Sequence, residues 1–136
     1  MIFRFKKVIC YWLPAVLWMG FIFLFSSFHK LQASEIAWKD FIIRKTAHFL
    51  EYVILCFLFF RAFRKTTGFS QVKILFFSFI LTFFYAITDE YHQTWVAGRS
   101  GRVFDVGVDS LGAVFGILFS GKIINLLPEK IKKVIL

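Results

Sequence analysis

The segment ILFFSFILTFFYAI (residues 74–87) is almost wholly apolar, and it runs straight into TDEYHQ (residues 88–93). With its short apolar lead-in, a run of this kind is long enough to cross the hydrocarbon core of a bilayer as a helix. Such a helix ordinarily meets the membrane surface with Trp, Tyr, Lys or Arg. A carboxylate pair with a histidine at helical spacing is a different choice, because ionisable groups near lipid are costly and tend to have partners. The reading of the chain therefore turns on whether other segments bring partners to Asp89, Glu90, His92 and Gln93.

The 136 residues make room for one domain, taken as 1–136. Hydrophobic residues are 59% of the chain, the mean hydropathy is +0.72, and Phe alone occurs 21 times. A soluble domain this small could not hide so much apolar surface, so membrane lipid must be its solvent and its first partner. The net charge of +9 does not point to nucleic acid, because the basic residues flank the apolar runs and form no polar face. Cys10 and Cys56 both sit inside apolar runs and are read as packing residues, not a disulfide.

The chain carries four spans, at about 8–28, 41–63, 72–92 and 103–124, giving an all-α, polytopic membrane bundle. The first, after a short basic start, is longer than a signal-peptide core and lacks a small-x-small cleavage site; it is expected to stay as a helix containing Pro14. Between the first two spans, His29 to Lys39 forms a mixed loop with Trp38 at an interface position. Lys45, His48 and Glu51 interrupt the second span at every third residue, which confines them to roughly 120° of one helix face. Eleven Lys and Arg residues fall on the side shared by the termini and the middle loop, against six on the other. The positive-inside rule then places both termini in the cytoplasm. The polar start of span two, the end of span three and the start of span four share the outer side.

On span four, Arg102, Asp105, Asp109, Gly112 and Gly116 project at about 60°, 0°, 40°, 340° and 20° on a wheel of 100° per residue. That stripe begins with ions and continues as Gly-x-x-x-Gly, the pattern that lets a neighbouring helix approach closely. It could also serve a homo-oligomer. Tyr85, Asp89, His92 and Gln93 share a face of span three, and Glu90 is expected to turn away toward water or the loop.

The candidate ligand-binding set is Lys45, His48, Glu51, Asp89, His92, Gln93, Arg99, Arg102, Asp105 and Asp109. An ion-pair network fixing helix register would account for these residues, and so would a polar pocket open to the outer face. A proton path is weaker, since the ionisable groups stop at one side. Arg99 and Arg102 suit phosphate or carboxylate groups. His48, Asp89 and His92 are the acid–base candidates should there be chemistry, with His48 paired to Asp89 or Asp109. No serine or cysteine lies in a nucleophile motif. His48-x-x-Glu51 and Asp89-x-x-His92 each place two ligands on one helix face, but the adjacent cations argue against a metal, and no metal or cofactor is expected.

Lys45-x-x-His48-Phe49-x-x-Tyr52, Asp89-Glu90-x-x-Gln93, Gly98-Arg99 and Asp105-x-x-x-Asp109-x-x-Gly112 together resemble the ordered motifs of the VanZ-like membrane proteins. The similarity extends from about Phe25 to Gly116, and the length and span pattern agree along the whole chain. Phe28 stands where the family often has Gln, and Ala97 where Pro commonly precedes Gly-Arg. The first departure argues against a role for the end of span one. The resemblance implies a multi-pass protein of the bacterial cell membrane. The family's namesake is associated with tolerance of the glycopeptide teicoplanin. An envelope ligand is implied: a lipid-linked cell-wall precursor, a phospholipid head group or the glycopeptide itself. The alternative is a membrane-embedded enzyme acting on a lipid or a wall precursor.

Overall fold

The computed structural model describes residues 2–28, 36–99, 101–123 and 128. Most of the loop expected at 29–39, including Lys30 and Glu35, lies outside the described residues, as does the basic tail Lys130, Lys132 and Lys133. Four helices make up the described part: α1 (Ile2–Ser27), α2 (Ala37–Thr66), α3 (Gln71–Gln93) and α4 (Val103–Leu118). A wide π-type turn, Phe119–Ile123, extends α4. All four are long and apolar enough to cross a membrane. Their number is the four expected, while α1 starts at Ile2, ahead of 8, and α2 is longer at both ends. α2 has 30 residues and runs about 45 Å, beyond the 41–63 expected from its apolar stretch. Its extra turns are polar, with Lys39 and Asp40 at the start and Arg64 and Lys65 at the end, so hydropathy alone truncates it.

The helices run up and down. The start of α1, the end of α2, the start of α3 and the end of α4 lie together. Trp12 Nε1 donates to Thr66 Oγ1 at 3.1 Å, and the Arg61 guanidinium lies 5.2 Å from the Tyr11 ring, joining α1 to α2 at this end. The opposite end gathers Ser26, Lys45, Asp89 and Asp105. α2 is the hub: it packs against α1, α3 and above all α4, whereas α1 has little contact with α4.

The distribution of side chains is that of a protein dissolved in lipid. Leu17, Leu24, Phe76, Phe84, Phe104 and Phe115 are exposed, while Ser26, Ser78, Thr82, Asp89, Asp109 and Ser120 are buried. In water this would be an inverted fold, but in hydrocarbon the polar groups must turn inward. The Ser78 and Thr82 hydroxyls donate to the carbonyls of Ile74 and Ser78, at 2.7 and 2.8 Å, so neither reaches lipid unpaired. Pro14 sits within α1 without ending it.

The Gly112–Gly116 stripe packs on α2, as its wheel position implies. A Cβ on Gly116 would stand 2.8 Å from Cys56 Cβ and 2.8 Å from the Val53 carbonyl oxygen. One on Gly112 would run into the Phe49 carbonyl. Both glycines are thus taken up inside the chain, and a homo-oligomer would need another face. Gly116→Leu is expected to lower the stability to unfolding in detergent by about 1–3 kcal/mol through overpacking. Gly107→Leu, where nothing lies within 4 Å of the added Cβ, should leave it unchanged. Equal effects of the two substitutions would contradict this packing.

Candidate functional site

The helix register dictates which polar groups meet. Because Gly112 and Gly116 let α4 lie close to α2, the turn after Arg102 faces the Lys45–His48 turn. Lys45 Nζ forms an ion pair with Asp105, and His48 Nδ1 lies 3.6 Å from Asp109 Oδ1. Lys45 also sits 5.6 Å above the Phe41 ring. Of the two carboxylates weighed as partners of His48, Asp109 is the one it faces.

α3 supplies the middle wall. Asp89 is buried; its Oδ2 accepts from Ser26 Oγ at 2.8 Å and from Gln93 Nε2 at 3.0 Å. Ser26 corrects the expectation that the end of span one has no role. A hydroxyl at the only polar step of a buried face that includes Ala15 and Ile22 is the sequence signal that would have found it.

Glu90 also differs from expectation. It does not meet water, being 4% exposed, although it does meet the loop. Its Oε2 accepts the Arg102 backbone N–H at 3.0 Å, and its Oε1 accepts from Gln93 Nε2 at 3.2 Å. A helical wheel treats the chain beyond Gln93 as absent. Here the segment after Gln93 folds back over the helix end and covers the face that the wheel leaves open.

Arg99 is set by that same segment. Gly98 takes φ 76°, a left-handed conformation that glycine adopts without strain. Arg99 then reaches back to α1, donating to the carbonyls of Phe25 at 2.9 Å and Phe28 at 3.3 Å, and to Gln93 Oε1 at 3.3 Å. A cation on the last carbonyls of a helix satisfies both the unpaired acceptors and the helix dipole. Burial lowers the Arg99 pKa from its ordinary value, with Asp89 pulling it back up; the group stays charged.

Two sequence candidates stand apart. The Arg102 side chain is exposed, and only its backbone enters the cluster. The stripe holds from Asp105 to Gly116, but Arg102, expected as its first member, is exposed because it precedes the helix in an extended conformation. His92 faces α1, stacked 4.2 Å from the Phe23 ring with Ser27 Oγ 3.3 Å from Nε2. Among the described residues it pairs with no carboxylate.

Beside this cluster a cleft of about 160 Å³ opens between α1, α2 and the segment after α3. Its lining includes Phe25, Arg44, His48, Glu51 and Arg99. Arg44, absent from the sequence-derived set, is held by Asp40 at 2.9 Å. The cleft thus combines two guanidinium groups with an imidazole and a carboxylate, next to apolar rings. That donor set can orient a phosphate or carboxylate at the edge of an apolar environment.

No curated protein and no solved structure matches the chain. A family model does match, over residues 11–125, and its description is VanZ/LLP1. That range takes in nearly the whole of the four-helix bundle and every polar residue of the cluster. The chain is a multi-pass membrane protein that belongs to the VanZ/LLP1 family.

Proposed function

We propose that the protein is an accessory protein of the bacterial cell membrane that binds or shields an anionic envelope component at the outer leaflet. The supporting observation is the cleft bearing Arg44 and Arg99 at the polar end of the bundle. Arg99 spends part of its donor set on α1 and Gln93, and the remainder is available to an incoming oxyanion. Apolar side chains such as Phe25 and Ile43 at the rim suit an amphiphile whose tail remains in lipid. A lipid-linked cell-wall precursor, a phospholipid head group and the glycopeptide teicoplanin all carry groups of this kind. Family membership favours the teicoplanin connection.

In this reading Arg99→Ala and Asp89→Ala each abolish teicoplanin tolerance in a strain that depends on the protein, while membrane accumulation persists. Full tolerance in both variants would sink the proposal. The orientation is testable separately. The excess of basic residues on the terminal side predicts that a reporter active only in the cytoplasm works when fused to the C-terminus. Activity only from an outward-facing reporter would invert the assignment of the cleft.

The second reading is an enzyme acting on a lipid or wall precursor. It is favoured by the apposition of His48 and Asp109 beside the cleft, where the imidazole could exchange a proton with a bound ligand. His92 lends it no support, since its ring is stacked on Phe23 and, among the described residues, faces no carboxylate. Labelled lipid precursors incubated with the purified protein should then yield a product that His48→Ala cannot form. The absence of turnover across such a panel would leave the binding role alone.

A further inference from the structure

We propose that His48, Glu90 and Asp109 form a binding site for a divalent cation of the Zn²⁺ or Mn²⁺ class inside the bundle. The three residues come from α2, α3 and α4, and one ligand atom from each lies within 4.8 Å of the others. Zinc bonds to imidazole and carboxylate are about 2.0–2.2 Å, so ligand atoms around one ion stand roughly 3–3.5 Å apart. His48 Nδ1 and Asp109 Oδ1 are already 3.6 Å apart, and small side-chain rotations close the remainder.

The independent observation is the state of Asp109. It is 1% exposed, and among the described residues its Oδ2 has no hydrogen-bond partner while its Oδ1 has only His48 Nδ1, at 3.6 Å. A buried carboxylate served by a single long contact is costly. Besides His48, the described cations nearby do not bond it: Lys45 pairs with Asp105, Arg44 with Asp40, and Arg99 donates to the end of α1 and Gln93. Tyr52 of α2, fully buried, also has a hydroxyl with no hydrogen-bond partner among the described residues.

A divalent ion answers this arrangement by charge. Two carboxylates and a neutral imidazole around a 2+ ion sum to zero, the cheapest total for a site surrounded by lipid-facing helices. Imidazole with carboxylate selects Zn²⁺, Mn²⁺ and their neighbours over Ca²⁺ or Mg²⁺, which prefer all-oxygen shells. Glu90 already has the outer support usual for a ligating carboxylate, from the Arg102 backbone N–H and Gln93 Nε2. This set is not visible in the sequence, where the natural pairs are His48 with Glu51 and Asp89 with His92, and no metal is expected. The cation site does not depend on what fills the neighbouring cleft.

The test is elemental analysis and thermal unfolding of the full-length protein in detergent. Wild type supplied with Zn²⁺ or Mn²⁺ and then dialysed should retain about one ion per chain. Protein stripped with EDTA should gain thermal stability when Zn²⁺ or Mn²⁺ is added back, and not with Mg²⁺. Asp109→Asn and His48→Gln should bind the ion at least about tenfold more weakly, while Thr66→Val, at the far end of the bundle, binds as wild type. Wild type that retains no metal and shows no thermal response to either ion overturns the proposal. So does undiminished binding by a folded Asp109→Asn protein. The wild-type measurement needs no variant to fold, so it decides the matter alone.

Discussion

The close approach of α2 and α4 is the constraint on which the rest of this structure depends. Two glycines one turn apart on α4 remove the side chains that would hold the helices at ordinary distance, and backbone meets backbone at Phe49 and Val53. In lipid there is no hydrophobic gain from bringing two apolar helices together, so packing of this closeness is itself a main source of association. It also fixes the register. With Gly112 against Phe49 and Tyr52, Asp109 is brought to His48 and Asp105 to Lys45, one turn further along each helix.

That register has an electrostatic consequence. The polar end of the bundle contains Asp89, Glu90, Asp105 and Asp109, all buried, in a chain whose overall charge is strongly positive. Cations and donors are apportioned unevenly among them. Asp105 has Lys45, Asp89 has a hydroxyl and an amide, Glu90 has a backbone N–H and the same amide, and Asp109 has only an imidazole edge. Buried ion pairs are poor evidence of stability, since removing two charges from water costs about as much as their attraction returns. A cluster with one member left short of partners is a weak fastening, and that asymmetry is what the proposed cation site rests on. The cleft with its two arginines is lined by the same histidine, so His48 belongs both to the acidic group and to the cleft.

Much of this is legible in the residues. The apolar runs mark four spans because hydrocarbon permits little else at that length, and the 3.6-residue period places Lys45, His48, Asp105 and Asp109 on inward faces. Three features resist. Ser26 is hidden because one hydroxyl in a Phe-rich helix has no weight in a hydropathy average. Glu90 is misplaced because its surroundings come from the segment that folds back after Gln93, which helical periodicity does not describe. Arg102 is expected inside because the wheel extends a helix one turn too far, into an extended residue whose side chain turns out.

By itself the sequence determined the class of the protein, its span pattern and the identity of most polar residues at one end of the bundle. Those properties rest on transfer energies and helical period, which act locally and need no partner. Only the tertiary structure decided how those residues combine: His48 with Asp109 and Glu90, Asp89 with Ser26, and Arg99 on the end of α1. Each pairing joins residues distant in the chain, and a distance across helices is set by how closely backbones can pack.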